Sequence, residues 1–108
     1  MEDMNIIITE YESLAVLMKQ MLHAAQSQDW EKVTDIELFY HDKMAQIKVD
    51  ESRTTLSKND QSRKLGIIKQ ILQDDHEIKA LIYPKMDELS KFMRGGNTKT
   101  KLNRAYGI

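Results

Sequence analysis

A chain of 108 residues with one proline, four glycines and no cysteine has room for one modest core. It leaves none for a catalytic cleft between two domains, and it excludes disulfides and thiolate metal sites. The net charge of −1 conceals a lopsided distribution: residues 1–51 carry 11 acids and 4 bases, residues 52–108 carry 6 acids and 12 bases. Few helix breakers and many Leu, Ile, Met, Lys, Glu and Gln predict an all-α protein. No apolar run approaches the roughly 18 residues that span a bilayer, and Met1-Glu2-Asp3 is acidic where a signal peptide is basic. A single soluble, cytoplasmic domain over 1–108 is expected, with its core at about 4–94 and a basic tail at 95–108.

The first helix is predicted from Met4 to Ser27. Its apolar stripe is Met4, Ile7, Tyr11, Leu14, Met18, Met21, Leu22 and Ala25, in steps of three and four. Ile6, Leu17 and Ala24 fall off that stripe and suggest more than one neighbour. Asp29 is placed to cap a second helix from Trp30 to about Val49, with Glu31 in its first turn. Its stripe is Trp30, Val33, Ile36, Tyr40, Met44 and Ile47. Leu38 and Phe39 lie outside it and form a candidate contact or dimer patch.

A polar loop is expected over 50–59, anchored by Leu56. The third helix is then predicted from Asp60 to Arg94, capped by Asn59 or Asp60. Ile67, Ile71, Ile78, Ile82, Leu89 and Met93 lie within about 80° of one another at roughly 100° per residue. A second set, Ile68, Leu72, Lys79, Tyr83 and Met86, clusters about 60–120° to one side by the same rule. That shoulder serves either a third helix or a partner. Pro84 removes a backbone donor and crowds the Ala80 carbonyl, which predicts a kink because the pattern continues beyond it. Gly95-Gly96-Asn97 is the expected terminator. The tail that follows has a short apolar face at Leu102, Ala105 and Tyr106.

Catalytic and nucleic-acid chemistry find little footing. His23, His41 and His76 fall on three different helices, and no HExxH pair occurs. The cluster Asp74-Asp75-His76-Glu77 cannot converge on one ion, since adjacent helical residues diverge. Gly95-Gly96 follows a helix and lacks the GK[ST] of a phosphate loop. Lys99, Lys101 and Arg104 are too few, beside an acidic body, for a phosphate-tracking face. A non-enzymatic helical protein is expected, with no cofactor, no direct nucleic-acid contact and no membrane insertion.

Several segments carry a more specific likeness. Ile68-Lys69-Gln70-Ile71-Leu72, Lys79 to Ile82, Met86-Asp87-Glu88-Leu89-Ser90 and Lys101-Leu102-Asn103-Arg104-Ala105-Tyr106-Gly107 resemble the FliT family of flagellar export chaperones. The turn from Ala25-Gln26 to Trp30, with Tyr40 ten residues on, fits the same pattern. The resemblance implies an antiparallel bundle of three long helices plus a short C-terminal helical segment. It implies a chaperone of the filament-cap protein FliD that binds the cap's C-terminal region before export. It also implies contacts with FlhC of the master regulator, the export ATPase FliI and a second copy. An adaptor that sequesters a transcription factor or forms a structural dimer is the alternative. Ile68, Leu72 and Lys79 match the family's client-contacting positions, and Leu102, Arg104 and Tyr106 fall on its regulatory tail. Two departures stand out: family members usually carry a longer fourth helix than the segment up to Ile108, and Pro84 interrupts the third helix.

Overall fold

A computed structural model describes residues 5–86. They form α1 (Ile6–Gln26), α2 (Trp30–Glu51) and α3 (Lys58–Ile82), followed by a 3-10 turn, Tyr83–Lys85. No strand occurs among the described residues. α1 is the central helix, with α2 and α3 packed on either side of it. Short connections reverse the chain twice, so α2 runs against its neighbours. The clasp between Tyr11, early in α1, and Glu51, at the end of α2, follows from that reversal.

Each start has a local cause. Asn5 accepts the Ile7 N–H at 2.8 Å and caps α1. At the far end Gln28 sits at φ 61, Asp29 N–H donates to the Ala24 carbonyl at 2.8 Å, and Gln28 N–H donates to that of Ala25. That pairing is a Schellman termination built on a non-glycine residue. Asp29 then caps α2 as expected, accepting the Lys32 N–H at 3.3 Å.

The second connection is shorter than the predicted loop, spanning residues 52–57. The Ser57 hydroxyl accepts the Asp60 N–H at 3.1 Å, so α3 begins at Lys58. Neither Asn59 nor Asp60 is the cap; Asp60 instead places its charge in the first turn, where the helix dipole favours it. α2 reaches Glu51 because that carboxylate is tied down from both sides. Tyr11 Oη donates to Glu51 Oε1 at 2.7 Å, Lys64 pairs with Oε2, and the Lys64 ammonium lies 5.4 Å from the Tyr11 ring centre. Burial pushes the Tyr11 phenol up to about 12, assisted by its bond to Glu51. Burial also acts to raise Glu51, but its bonds from Lys64 and Tyr11 outweigh that and hold it below the ordinary glutamate range.

The three predicted stripes are the core. Ile7, Leu14, Val33, Ile47, Ile78 and Ile82 are fully excluded from solvent. Tyr11, Met18, Met21, Leu22, Ala25, Trp30, Ile36 and Ile71 are buried around them. Tyr40, Met44, Ile67 and Leu56 pack against this core while remaining partly exposed. Ile8 and Ala24 are also buried, because a helix flanked on both sides buries more than one stripe. Ile6 points to solvent.

One buried position in α3 is charged. Asp74 lies between Ile71 and Ile78 on the core stripe and is 1% exposed. Lys19 Nζ reaches both of its oxygens at 3.0 Å, and Gln70 Nε2 donates to Oδ1 at 3.1 Å. This pair ties the middle of α1 to the middle of α3.

At Pro84 the α-helix ends at Ile82 and tightens into the 3-10 turn instead of bending as one continuous α-helix. Tyr83 and Met86 keep right-handed helical backbone angles, so the local direction of the chain is retained. A proline cannot donate to the carbonyl one turn back, and the tighter hydrogen-bonding pattern absorbs that loss. Met4, Leu89, Met93, the Gly95-Gly96-Asn97 terminator and the C-terminal helical segment with Leu102, Arg104, Ala105 and Tyr106 lie outside the described residues.

Candidate functional site

Part of the shoulder of α3 faces α2 across a groove floored by residues of α1 and α3. Leu72 and Lys79 from α3 meet Glu37, Tyr40 and His41 from α2, over a floor of Met21 and Ile71. The space between these walls is about 160 Å³. Leu72 is 60% exposed. Asp75 completes the α3 wall and holds Lys79 Nζ at 2.9 Å, one turn on. That hydrogen bond raises the Lys79 pKa above the ordinary lysine value, so the ammonium stays charged and pinned to the wall. Opposite, burial raises the Tyr40 phenol, with the Asp75 carboxylate adding to the effect across the groove. The Tyr40 and His41 rings meet edge to face at 6.1 Å.

Only part of the predicted shoulder shares this groove. Leu72 and Lys79 are brought together there. Ile68, one turn before Leu72, is half-buried and packs against the core, as does Met86 beyond the 3-10 turn. Tyr83 is 45% exposed and lies within electrostatic reach of Lys79, past the groove's end. Periodicity places all five on one side of α3, but the neighbouring helices decide how much of each is left uncovered.

Sequence spacing alone did not single out Glu37. It stands four residues after Val33 and three before Tyr40, on the flank of the α2 stripe, and is 6% exposed. An acid inside an apolar stripe is the signal that marks it, as it marks Asp74 in α3.

Leu38 and Phe39 point different ways. Phe39, 66% exposed, joins Val16 and Leu17 along a second, wider groove between α1 and α2, whose space is about 600 Å³. Leu38 is 42% exposed and does not line that groove.

Among the described residues no group of three or more His, Cys, Asp or Glu side chains could hold a metal ion. No described helix is long and apolar enough to cross a membrane. The molecule thus falls in the class of small helical bundles whose distinguishing features are open interhelical grooves with apolar floors and charged rims. The sequence profile of the family described as Flagellar protein FliT matches residues 8–108, and the chain belongs to that family. It is similar to the flagellar protein FliT of Photorhabdus laumondii, with 30% identity over 101 residues that cover 94% of this chain and 81% of the relative. No solved structure matches.

Proposed function

We propose that the protein is a cytoplasmic flagellar export chaperone whose α2–α3 groove binds an amphipathic helix from the C-terminal region of the cap protein FliD. The observation that carries this reading is the exposed Leu72 beside a ready apolar floor of Met21 and Ile71. Helix-in-groove recognition needs apolar anchors at helical spacing on one partner and an apolar trough with a polar rim on the other. Leu72 has most of its surface left to bury, and full burial of such a side chain contributes roughly 1.5–3 kcal/mol before association costs. One anchor contributing on that scale leaves the contact releasable. Lys79, held by Asp75, supplies a fixed rim charge.

The same reading extends to FlhC of the master regulator and to the export ATPase FliI as partners. Control of flagellar genes would then act through protein contact, without binding DNA. The exposed Val16 and Phe39 favour the α1–α2 groove as a separate surface for self-association. Titrating the C-terminal region of FliD into isotopically labelled chain tests the client assignment. Resonances of Tyr40, Leu72 and Lys79 should move first and furthest. Movement confined to Val16 and Phe39 would place the client on the other face.

A further inference from the structure

The α2–α3 groove contains a carboxylate whose buried oxygen is faced, among the described residues, by an exposed rim histidine and by no well-aligned hydrogen bond. The Glu37 side chain is 8% exposed, yet it lines the groove wall among Tyr40, Met21 and Leu72. Its Oε2 is buried and receives no hydrogen bond from any described residue. His41 Nε2 lies against that oxygen, facing it with an N–H in one neutral tautomer and as a charge pair when the imidazole carries its second proton. The His41 side chain is itself 57% exposed, at the rim, and can swing into water. Lys79 cannot serve instead, because its ammonium is committed to Asp75. A buried carboxylate oxygen whose one neighbouring donor forms no well-aligned hydrogen bond carries a desolvation cost that a charged donor would recover.

We propose that Glu37 determines specificity in this groove by accepting a hydrogen bond from a Lys or Arg that the partner helix presents beside its apolar anchors. The inference rests on the helix-in-groove reading above and gives the partner's chemistry: amphipathic, with one basic residue on the flank of its apolar face. Of the two acids lining the groove, Asp75 is taken up by Lys79, while Glu37 has the exposed, displaceable His41 beside it. On entry the partner's cation takes the place of His41 against Oε2. A neutral isostere at the same position would fill the trough and leave Oε2 unserved.

Synthetic amphipathic helical peptides test this directly. They share leucine anchors at helical spacing and differ at one guest position, moved along the flank, that is either lysine or norleucine. Binding is read by fluorescence anisotropy against the full chain. At one register lysine should bind about tenfold tighter than norleucine, the scale of one charge-assisted hydrogen bond. Glu37→Gln should reduce that ratio to within about twofold while leaving norleucine binding unchanged and the melting temperature no lower than the parent's. His41→Ala, which uncovers Oε2, should strengthen the lysine peptide and not the norleucine peptide. A lysine preference absent at every register, or one that survives Glu37→Gln, overturns the role of Glu37. Leu72→Ser separates this from the broader reading, since it should weaken both peptides equally. No effect of Leu72→Ser, with the lysine preference intact, would leave Glu37 as an ion-pairing site and remove the helix from the groove. A dimer of the chain alone that dissociates on Glu37→Gln would make a second copy the occupant and overturn the proposal.

Discussion

The Lys19–Asp74 pair predicts an asymmetry between its two halves. Asp74 is buried and Lys19 is half-exposed, so the partners bear unequal desolvation costs. Lys19→Met removes the cation and leaves a carboxylate in the middle of the α1–α3 contact with only the Gln70 amide as donor. Stranding one member of a buried pair typically costs about 3–5 kcal/mol; the remaining Gln70 bond puts this variant near the lower end, about 3 kcal/mol. For a domain of this size that is a fall in Tm on the order of 10 °C. Asp74→Asn removes the buried charge, keeps an acceptor for Gln70 and lets Lys19 turn into water. It should stay within about 1 kcal/mol of the parent. Urea denaturation followed by circular dichroism measures both variants, provided the slope with denaturant is the same for each. Equal losses in the two would refute the reasoning, because they would show that the cost does not lie in stranding the buried carboxylate.

Three further outcomes follow from other contacts. Gln28 holds a left-handed conformation that glycine adopts without strain, so Gln28→Gly should stabilise by about 0.5–1 kcal/mol and raise Tm by roughly 2–4 °C, while Gln28→Ala gains nothing. Glu51 titrates below its ordinary value, so the stability it contributes is present above the unfolded glutamate pKa of about 4.3 and is lost as pH falls through the folded value. Thermal melts across that acid range should therefore fall more steeply for the parent than for Glu51→Gln; parallel curves would contradict the clasp. Phe39→Asp should shift sedimentation toward monomer without changing FliD binding, and an unchanged sedimentation profile would remove the α1–α2 groove as the self-association face.

The helices were legible because their stripes are long and regular. Ile7 to Ala25, Trp30 to Ile47 and Ile67 to Ile82 announce their faces by spacing alone. Ends were less legible where two caps compete. Ser57, Asn59 and Asp60 all carry side chains that can accept a helix N–H, and the Ser57 hydroxyl is the one that does. The second buried side of α1, with Ile8 and Ala24, depends on α1 lying between two neighbours, which one helix's periodicity does not state. The same limit applies to the site. Ile68 and Leu72 belong to one shoulder by spacing, yet the packing half-buries one and leaves the other exposed. Glu37 and Asp74 share a pattern, an acid within an apolar stripe, but only tertiary structure separates them: Lys19 serves Asp74 from the neighbouring helix, and Glu37 Oε2 has the rim imidazole of His41 beside it.

The affinity of Leu72→Ser for the C-terminal region of FliD, measured by calorimetry beside its melting temperature, tests the groove most directly. Leu72 is the suitable probe because Ile68 also packs on the core, so its substitution would disturb the fold. The groove predicts a Kd weakened about tenfold or more, with Tm moved by no more than a few degrees, since the side chain is already 60% exposed in the free protein. Unchanged affinity in a folded variant would contradict it and put the client elsewhere on the molecule.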